Sequence, residues 1–261
     1  MTARVFDFNA ALVREPGRSV VEGLRAGGGP SPDYPGVVAE HRAYVAALRA
    51  AGVDVTVLPA LEAFPDSIFV EDPALVFTSA ALLLNPGASS RQGEARELEP
   101  TLARRFPRVL RLEAGHADGG DILVTPGRVL IGLSARTDAA GAAALARLLA
   151  TIGLASEVVR VPSGTLHLKT DCSLLDEETI LASRALADSG LLDGYRVIVV
   201  PDGEARATNA IRVNDVVLMR AGCPRTQERL VKHGLNLVPL PTDEIAKIDA
   251  GLSCMSLRWF A

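Results

Sequence analysis

Short apolar runs of strand length alternate along the chain with segments whose apolar residues recur at helical spacing. Residues 53–58, Val-Asp-Val-Thr-Val-Leu, alternate apolar and polar positions as a half-buried strand does. Ahead of them, Val38, Tyr44, Val45 and Leu48 mark one face of a helix over 37–50, and Gly52 stands where a glycine ends a helix. Residues 5–13 read as a strand, and 27–36, dense in glycine and proline, as a loop. The second unit is more regular. Strands are predicted at 67–70, 74–77 and 82–85, then a helix at 92–106 with Ser90 as its N-cap, and a strand at 109–112.

That order of strand, strand, helix and strand returns three times. Strands at 121–125 and 128–133 flank a Pro-Gly turn and lead to a helix at 139–152 and a strand at 157–161. Strands at 167–172 and 179–182 precede a helix at 184–189 and a strand at 197–200. Strands at 210–213 and 216–219 flank Asn214-Asp215, a hairpin signal, before a helix at 226–233 and a strand at 235–240. A last strand starts at Cys254. Its missing partner is the N-terminal strand, and pairing the two ends makes five ββαβ units with no open repeat edge. The unit starts Glu71, Gly120, His167, Asn209 and Cys254 are 49, 47, 42 and 45 residues apart, a period of about 45. The expected architecture is therefore a single α/β domain over residues 1–261, closed so that all five unit starts face one pocket.

Composition narrows the function classes. The apolar fraction of 48% is ample for a buried core. A net charge of -4, without any run of Lys or Arg, argues against a nucleic-acid partner. No apolar stretch approaches the roughly 18 residues that span a bilayer, so no membrane segment is expected. The N-terminus lacks the apolar core and cleavage site of a secretion signal. Cys172, Cys223 and Cys254 are odd in number and widely spaced, which favours free thiols in a cytoplasmic setting.

Several residues carry possible chemistry. Asp66, Glu71 and Asp72 lie in Phe64-Pro-Asp-Ser-Ile-Phe-Val-Glu-Asp-Pro73, where adjacent carboxylates are costly to bury without a cation or hydrogen-bond donors. Asp118-Gly-Gly-Asp121 holds the corresponding point of the next unit, and its glycines allow close backbone approach to a ligand. His167, in Thr165-Leu-His-Leu-Lys169, is read in an apolar strand, where histidines are more often satisfied core residues. Of the others, His41 is placed on the polar face of a helix, His233 at a helix end that suits a positive charge, and His116 is held in reserve. Cys254 alone reads more readily as a small buried hydrophobe than as a reactive thiol. Together, a thiol, a histidine and several carboxylates suit nucleophilic attack on a planar cation such as a guanidinium. Arg91 and Arg136 are the candidates for the other end of such a ligand, against ordinary surface solvation.

Phe69-Val-Glu-Asp72, Asp118-Gly-Gly-Asp121, Gly132-Leu-Ser-Ala-Arg-Thr137, Leu166-His-Leu-Lys169 and Asp249-Ala-Gly-Leu-Ser-Cys254 together resemble the dimethylarginine dimethylaminohydrolase family of the guanidino-group-modifying, or pentein, superfamily. The resemblance runs through almost the whole chain, in order. It implies a five-bladed α/β propeller and hydrolysis of asymmetric dimethylarginine or monomethylarginine to citrulline plus dimethylamine or methylamine, without a cofactor. It also implies Cys254 as nucleophile, His167 as general acid and then base, and Asp118 as the group that orients the histidine and touches the guanidinium. Asp72 is implied to bind the guanidinium with Glu71 in support, Asp66 the α-amino group, Arg91 and Arg136 the α-carboxylate, and the carbonyls of Leu24 and Ile248 further parts of the substrate. Some family members bind inhibitory zinc at the cysteine, but no metal is required. A monomer or a homodimer fits. Ala250-Gly-Leu-Ser253 and Met255 depart from the expected run around the nucleophile and bear on local loop shape.

Two alternatives stay open at this level. Arginine deiminases use the same constellation on unmethylated arginine but carry a substantial extra helical insertion, for which 261 residues leave no room. A non-catalytic pentein that binds rather than reacts lacks the thiol and histidine pair. The catalytic reading predicts that a haloacetamide labels Cys254 before Cys172 or Cys223 and that substrate protects it. Equal labelling of all three, measured by peptide mass spectrometry, would contradict an active-site thiol.

Overall fold

Five three-stranded sheets repeat one plan, and the plan follows the unit order read from the sequence. The structure, a computed structural model, describes residues 4–261; residues 1–3, the start of the segment read for a leader, lie outside it. β1 (Ala10–Arg14) is followed by α1 (Tyr34–Ala50) and β2 (Asp54–Leu58). The second unit is β3 (Ala74–Phe77), β4 (Ala80–Leu83), α2 (Glu94–Arg105) and β5 (Val109–Arg111). The third is β6 (Ile122–Val124), β7 (Val129–Leu133), α3 (Ala139–Thr151) and β8 (Ser156–Arg160). A helical turn, α4 (Leu168–Asp171), opens the fourth, followed by β9 (Cys172–Leu174), β10 (Thr179–Ala182), α5 (Arg184–Ala187) and β11 (Arg196–Val199). The fifth is β12 (Ile211–Val213), β13 (Val216–Arg220), α6 (Pro224–Lys232) and β14 (Asn236–Leu240), and the chain finishes in β15 (Leu257–Trp259).

In each sheet the hairpin pairs antiparallel, and the third strand returns parallel to the middle one after its helix. A parallel return needs such a crossover, which explains why every unit carries a helix. The first strands β3, β6, β9, β12 and β15 all line one axial cavity, so they form the inner wall of a five-bladed propeller. Closure is as expected: β15 pairs antiparallel with β1, setting Ala10 against Trp259 and Leu12 against Leu257. Tyr44 Oη and Ser256 Oγ, 2.6 Å apart and buried, fix the closing strand to α1, and the Trp259 ring lies 5.1 Å from that of Phe106. No helix among the described residues is long and apolar enough to cross a membrane.

Several local readings are corrected. Residues 67–70, expected as a strand, are turns, because Asp66, Glu71 and Asp72 engage donors that bend the chain. β1 starts only at Ala10. α1 begins at Tyr34, three residues earlier than expected, since Asp33 caps it by accepting the Gly36 N–H at 3.0 Å. Ser90 lies inside a 3-10 turn (Ser89–Arg91), and Gly93, with φ of 113°, precedes α2 instead. His41 is buried at 3% exposure, on the face shared by Val37, Tyr44, Val45 and Leu48. This overturns its expected place on the polar face: a spacing of four from both Val37 and Val45 puts it on their side of the helix.

Removing residues 251–261 strips β1 of its partner and empties the sites of Leu257 and Trp259, where burial of one large apolar side chain is worth about 1.5–3 kcal/mol. The truncated chain is expected to lose its cooperative thermal transition in calorimetry. A wild-type Tm would show that the closing strand is dispensable.

Candidate active site

The N-terminal ends of the five inner strands converge, and each delivers polar side chains through the turn just before it. Before β3 stand Glu71 and Asp72; before β6, Asp118 to Asp121 in a 3-10 turn; before β9, His167 to Lys169; before β12, Asn209; before β15, Cys254 in the 3-10 turn Ser253–Met255. His167 was expected within a strand. It is instead the N-cap of α4, and β9 begins only at Cys172, so its ring projects from a turn. Cys254 likewise precedes β15 and does not begin it. A strand would alternate these side chains between faces, whereas a turn at each strand start sends them to one end.

A small cavity is lined by Leu24, Asp66, Asp72, Arg91, Asp118, Arg136, His167, Ile248 and Cys254, along with Phe69, Leu166, Asp249 and Ala250. Nine of the ten residues singled out from the sequence therefore meet there. Glu71 is the exception. Its carboxylate faces the axial cavity behind the site, where it pairs with Lys169 Nζ at 2.5 Å and Arg258 Nη2 at 3.3 Å. Its backbone reaches Cys254 instead, since the Glu71 N–H donates to the Cys254 carbonyl at 3.1 Å. His116 does not line the cavity.

The carboxylates are held by distinct partners. Asp118 Oδ2 lies 3.1 Å from His167 Nε2, and its Oδ1 accepts the Gly87 N–H at 2.7 Å. Asp72 Oδ1 accepts the Gly120 N–H at 3.0 Å, and its Oδ2 pairs with Arg91. Asp66 Oδ1 accepts the Leu24 N–H at 3.0 Å. Arg91 forks onto Glu94 at 3.0 and 2.6 Å and donates to the Phe69 carbonyl at 2.8 Å. Of the five guanidinium protons, these contacts and Asp72 leave one on Nη1 for another acceptor. Arg136 forms no salt bridge among the described residues, so its charge is the more available of the two.

The paired glycines act differently from the sequence reading. A Cβ on Gly119 would lie 2.0 Å from the Glu71 carbonyl oxygen, and one on Gly120 would lie 2.8 Å from the His167 ring and 3.0 Å from Asp72. The close approach is to the protein's own catalytic segments. Asp121 follows as a fully buried anchor: it accepts Ser134 Oγ and Thr137 Oγ1, both at 2.6 Å, and the Leu168 N–H at 2.9 Å. It thereby fixes the turn that bears His167. Sequence reasoning assigned no role to Asp121, Lys169, Arg258 or Glu94; the second acid of Asp-Gly-Gly-Asp and the lysine of Leu166-His-Leu-Lys169 were the available signals.

The charges shift one another's protonation. Burial disfavours the His167 cation, but the Asp118 hydrogen bond and the charges of Asp72, Asp121 and Asp118 outweigh it and raise the pKa above its ordinary 6.5. Burial also works against the Asp72 anion, yet Arg91 and His167 prevail and hold its pKa down. For Asp66 burial wins, and the pKa rises. Burial, with Asp72 and Glu71 nearby, pushes the Cys254 thiol up to about 12. Cys172, buried under Leu168, is likewise pushed to about 12, so access rather than acidity separates the two thiols: Cys254 is partly exposed and Cys172 is not. Asp72, Asp118 and His167 offer ligand atoms within 4.8 Å of one another, close enough to share a metal ion.

The arginine deiminase family model matches residues 100–224, a span that holds Asp118, Arg136 and His167. An N(G),N(G)-dimethylarginine dimethylaminohydrolase from Pseudomonas aeruginosa is 41% identical over 254 residues, covering 97% of this chain and all of that one. The crystal structure of the Pseudomonas aeruginosa protein as a cysteine-to-serine mutant complexed with citrulline superposes with a TM-score of 0.94, at 41% identity over 97% of this chain and 100% of that chain. A dimethylarginine dimethylaminohydrolase adduct with S-methyl-L-thiocitrulline, in a histidine-to-glycine variant, gives 0.93 at 41% identity, covering 96% and 99%.

The raised pKa of His167 fixes the sign of a pH effect. A pKa higher in the folded than in the unfolded chain contributes stability that is complete below pH 6.5 and is lost as pH rises through the folded value. The stability gap between wild type and His167→Gln, from urea unfolding at a series of pH values, is therefore expected to be largest under mildly acidic conditions and to shrink toward alkaline pH. A gap that widens with pH would reverse the assignment.

Proposed function

The chain belongs to the dimethylarginine dimethylaminohydrolase family, and from that premise we propose a cysteine hydrolase that converts asymmetric dimethylarginine and monomethylarginine to citrulline plus dimethylamine or methylamine. The observation that supports this most is the polarity of the cavity. Cys254, His167, Asp72 and Asp118 line it with groups suited to a cation, and Asp66 and Arg136 line it too, offering an anion and a cation to a zwitterionic amino acid. Asp66 receives the α-ammonium through the oxygen that Leu24 leaves open, and Arg136, with the spare Arg91 proton, receives the α-carboxylate. Arg91 chiefly holds Asp72 in place. The carbonyls of Leu24 and Ile248 border the same cavity, and Glu71 supports the nucleophile from behind.

The chemistry follows from these placements. A thiol at about 12 is protonated in the empty site, because burial and the charges of Asp72 and Glu71 oppose a thiolate. A guanidinium entering between Asp72 and Asp118 offsets those charges, so the thiol proton leaves to solvent as the substrate binds. Cys254 Sγ then forms a bond to the guanidinium carbon. His167, kept protonated by Asp118, gives its proton to the methylated nitrogen, and the C–N bond breaks to release the amine and leave an S-alkylthiouronium. Neutral His167 next takes a proton from water, the hydroxide oxygen bonds to the same carbon, and the C–S bond breaks; the remaining hydroxyl proton passes to solvent, where the released amine takes up one, giving citrulline and restoring the thiolate. Every group comes from one chain and no cofactor enters. The three free thiols support a cytoplasmic setting.

Arginine deimination is the competing reaction. The match to the arginine deiminase model leaves out both Asp72 and Cys254, whereas the match to the Pseudomonas aeruginosa relative extends over 97% of the chain. A citrulline assay across arginine, monomethylarginine and asymmetric dimethylarginine is expected to give the higher kcat/KM on the methylated substrates; preference for arginine would replace this reading by the deiminase one. Cys254→Ser and His167→Ala are each expected to lower citrulline formation by more than about 100-fold while the protein stays folded. Retained turnover in Cys254→Ser would remove the covalent route.

A further inference from the structure

Both halves of the reacting pair sit in turns of three or four residues, and such turns do not hold a side chain rigidly by themselves. The Cys254 turn is Ser253–Met255 and the His167 turn caps α4. They come from different blades, and one side chain touches both. Asn209, from the turn before β12, accepts the Ser253 N–H through Oδ1 at 3.0 Å. Through Nδ2 it donates to the Lys169 carbonyl at 3.0 Å and to Ser253 Oγ at 3.1 Å. Its amide cannot be turned round, because Ser253 N–H only donates and the Lys169 carbonyl only accepts. Gly251 makes room for it: a Cβ there would lie 2.4 Å from Asn209 Cγ.

We propose that Asn209 is a positioning residue that ties the Cys254 turn to the His167 turn and so sets the nucleophile in line with its acid and base. Ser253 is the residue before the thiol, and Lys169 is two residues past the histidine. The three bonds therefore act within two residues of each reacting group. Lys169 adds a second tie at the same place, since its ammonium pairs with Glu71, whose own N–H holds the Cys254 carbonyl. Asn209 does not line the cavity that holds Asp66, Arg91 and Arg136, so it acts on the reacting groups rather than on recognition of the amino acid. A near-isosteric Asn209→Asp keeps the Ser253 N–H contact but sets two acceptors face to face at the Lys169 carbonyl. Asn209→Ala removes all three bonds.

The proposal rests on Cys254 and His167 as the reacting groups, and the experiment separates the two ideas. Wild type, Cys254→Ser, Asn209→Asp and Asn209→Ala are purified and compared by citrulline formation from asymmetric dimethylarginine, with Tm measured on each. A misplacement on the scale of an ångström lowers the rate of the chemical step by about 10- to 100-fold. Both Asn209 variants are expected to show such a fall in kcat with KM within about twofold of wild type, the pattern of an interaction that serves the transition state alone. Asn209→Asp at wild-type kcat, a loss carried mainly by KM, or failure of both variants to fold would each overturn the positioning role. If Cys254→Ser is itself active, the fault lies in the reading of the reaction and not in Asn209.

Discussion

The antiparallel register that sets Ala10 against Trp259 and Leu12 against Leu257 joins the two ends of the chain, and the site depends on that joint. Each blade buries its hairpin against the next, so an unclosed ring would leave two apolar blade faces and a strand edge in water. Closure removes both. It also carries Cys254, in the turn just before β15, to the rim where the other four units already present their polar turns. Arg258, inside β15, then reaches Glu71 and Ser256, and Tyr44 meets Ser256 from α1. The last strand is thus stitched to the first and second units by side chains as well as by its ladder.

Around the rim the governing constraint is electrostatic. Asp66, Glu71, Asp72, Asp118 and Asp121 are all at most 5% exposed, which no protein sustains without compensation. Compensation is uneven, and the unevenness has chemical content. Asp72 has Arg91, Glu71 has Lys169 and Arg258, and Asp121 has two hydroxyls and a backbone N–H. Asp118 has a histidine and the Gly87 N–H, with no lysine or arginine, and Asp66 has a single backbone donor. The two least compensated acids lie on the reaction cavity, and a ligand positively charged at both its guanidinium and its amino group answers them.

Much of this was legible in the sequence, for identifiable reasons. Blade order survives because hairpins and amphipathic helices leave local periodicities, and Asn214, with φ of 53° in the turn between β12 and β13, carried its own signal. Asp72, Asp118, His167 and Cys254 were legible because they stand in short motifs at unit starts, whereas Leu24 and Ile248 carried no local signal and came only with the family resemblance. The turns before the inner strands were less legible. Leu166-His-Leu-Lys169 looks like a strand because its apolar residues alternate, and the stretch before Asp72 because Ile68-Phe69-Val70 is a short apolar run; tertiary hydrogen bonds, such as that from the Leu168 N–H to Asp121, accompany the bends found instead. The direction of Glu71 was equally hidden, since its partners Lys169 and Arg258 are distant along the chain and adjacent only once the ring has closed.

The placement of every reacting group in the segment between one blade's outer strand and the next blade's inner strand divides the molecule into two classes of position. Sheet ladders and crossover helices carry the folding free energy, and the connectors hold Asp72, Asp118, His167, Asn209 and Cys254 at one rim. Drift within the hydrophobic layers can then proceed so long as volume is kept, without moving a nucleophile or an acid. Change in a single connector can in turn alter what is recognised while four-fifths of the rim stays as it was. A ring built this way is open to new substrates one blade at a time.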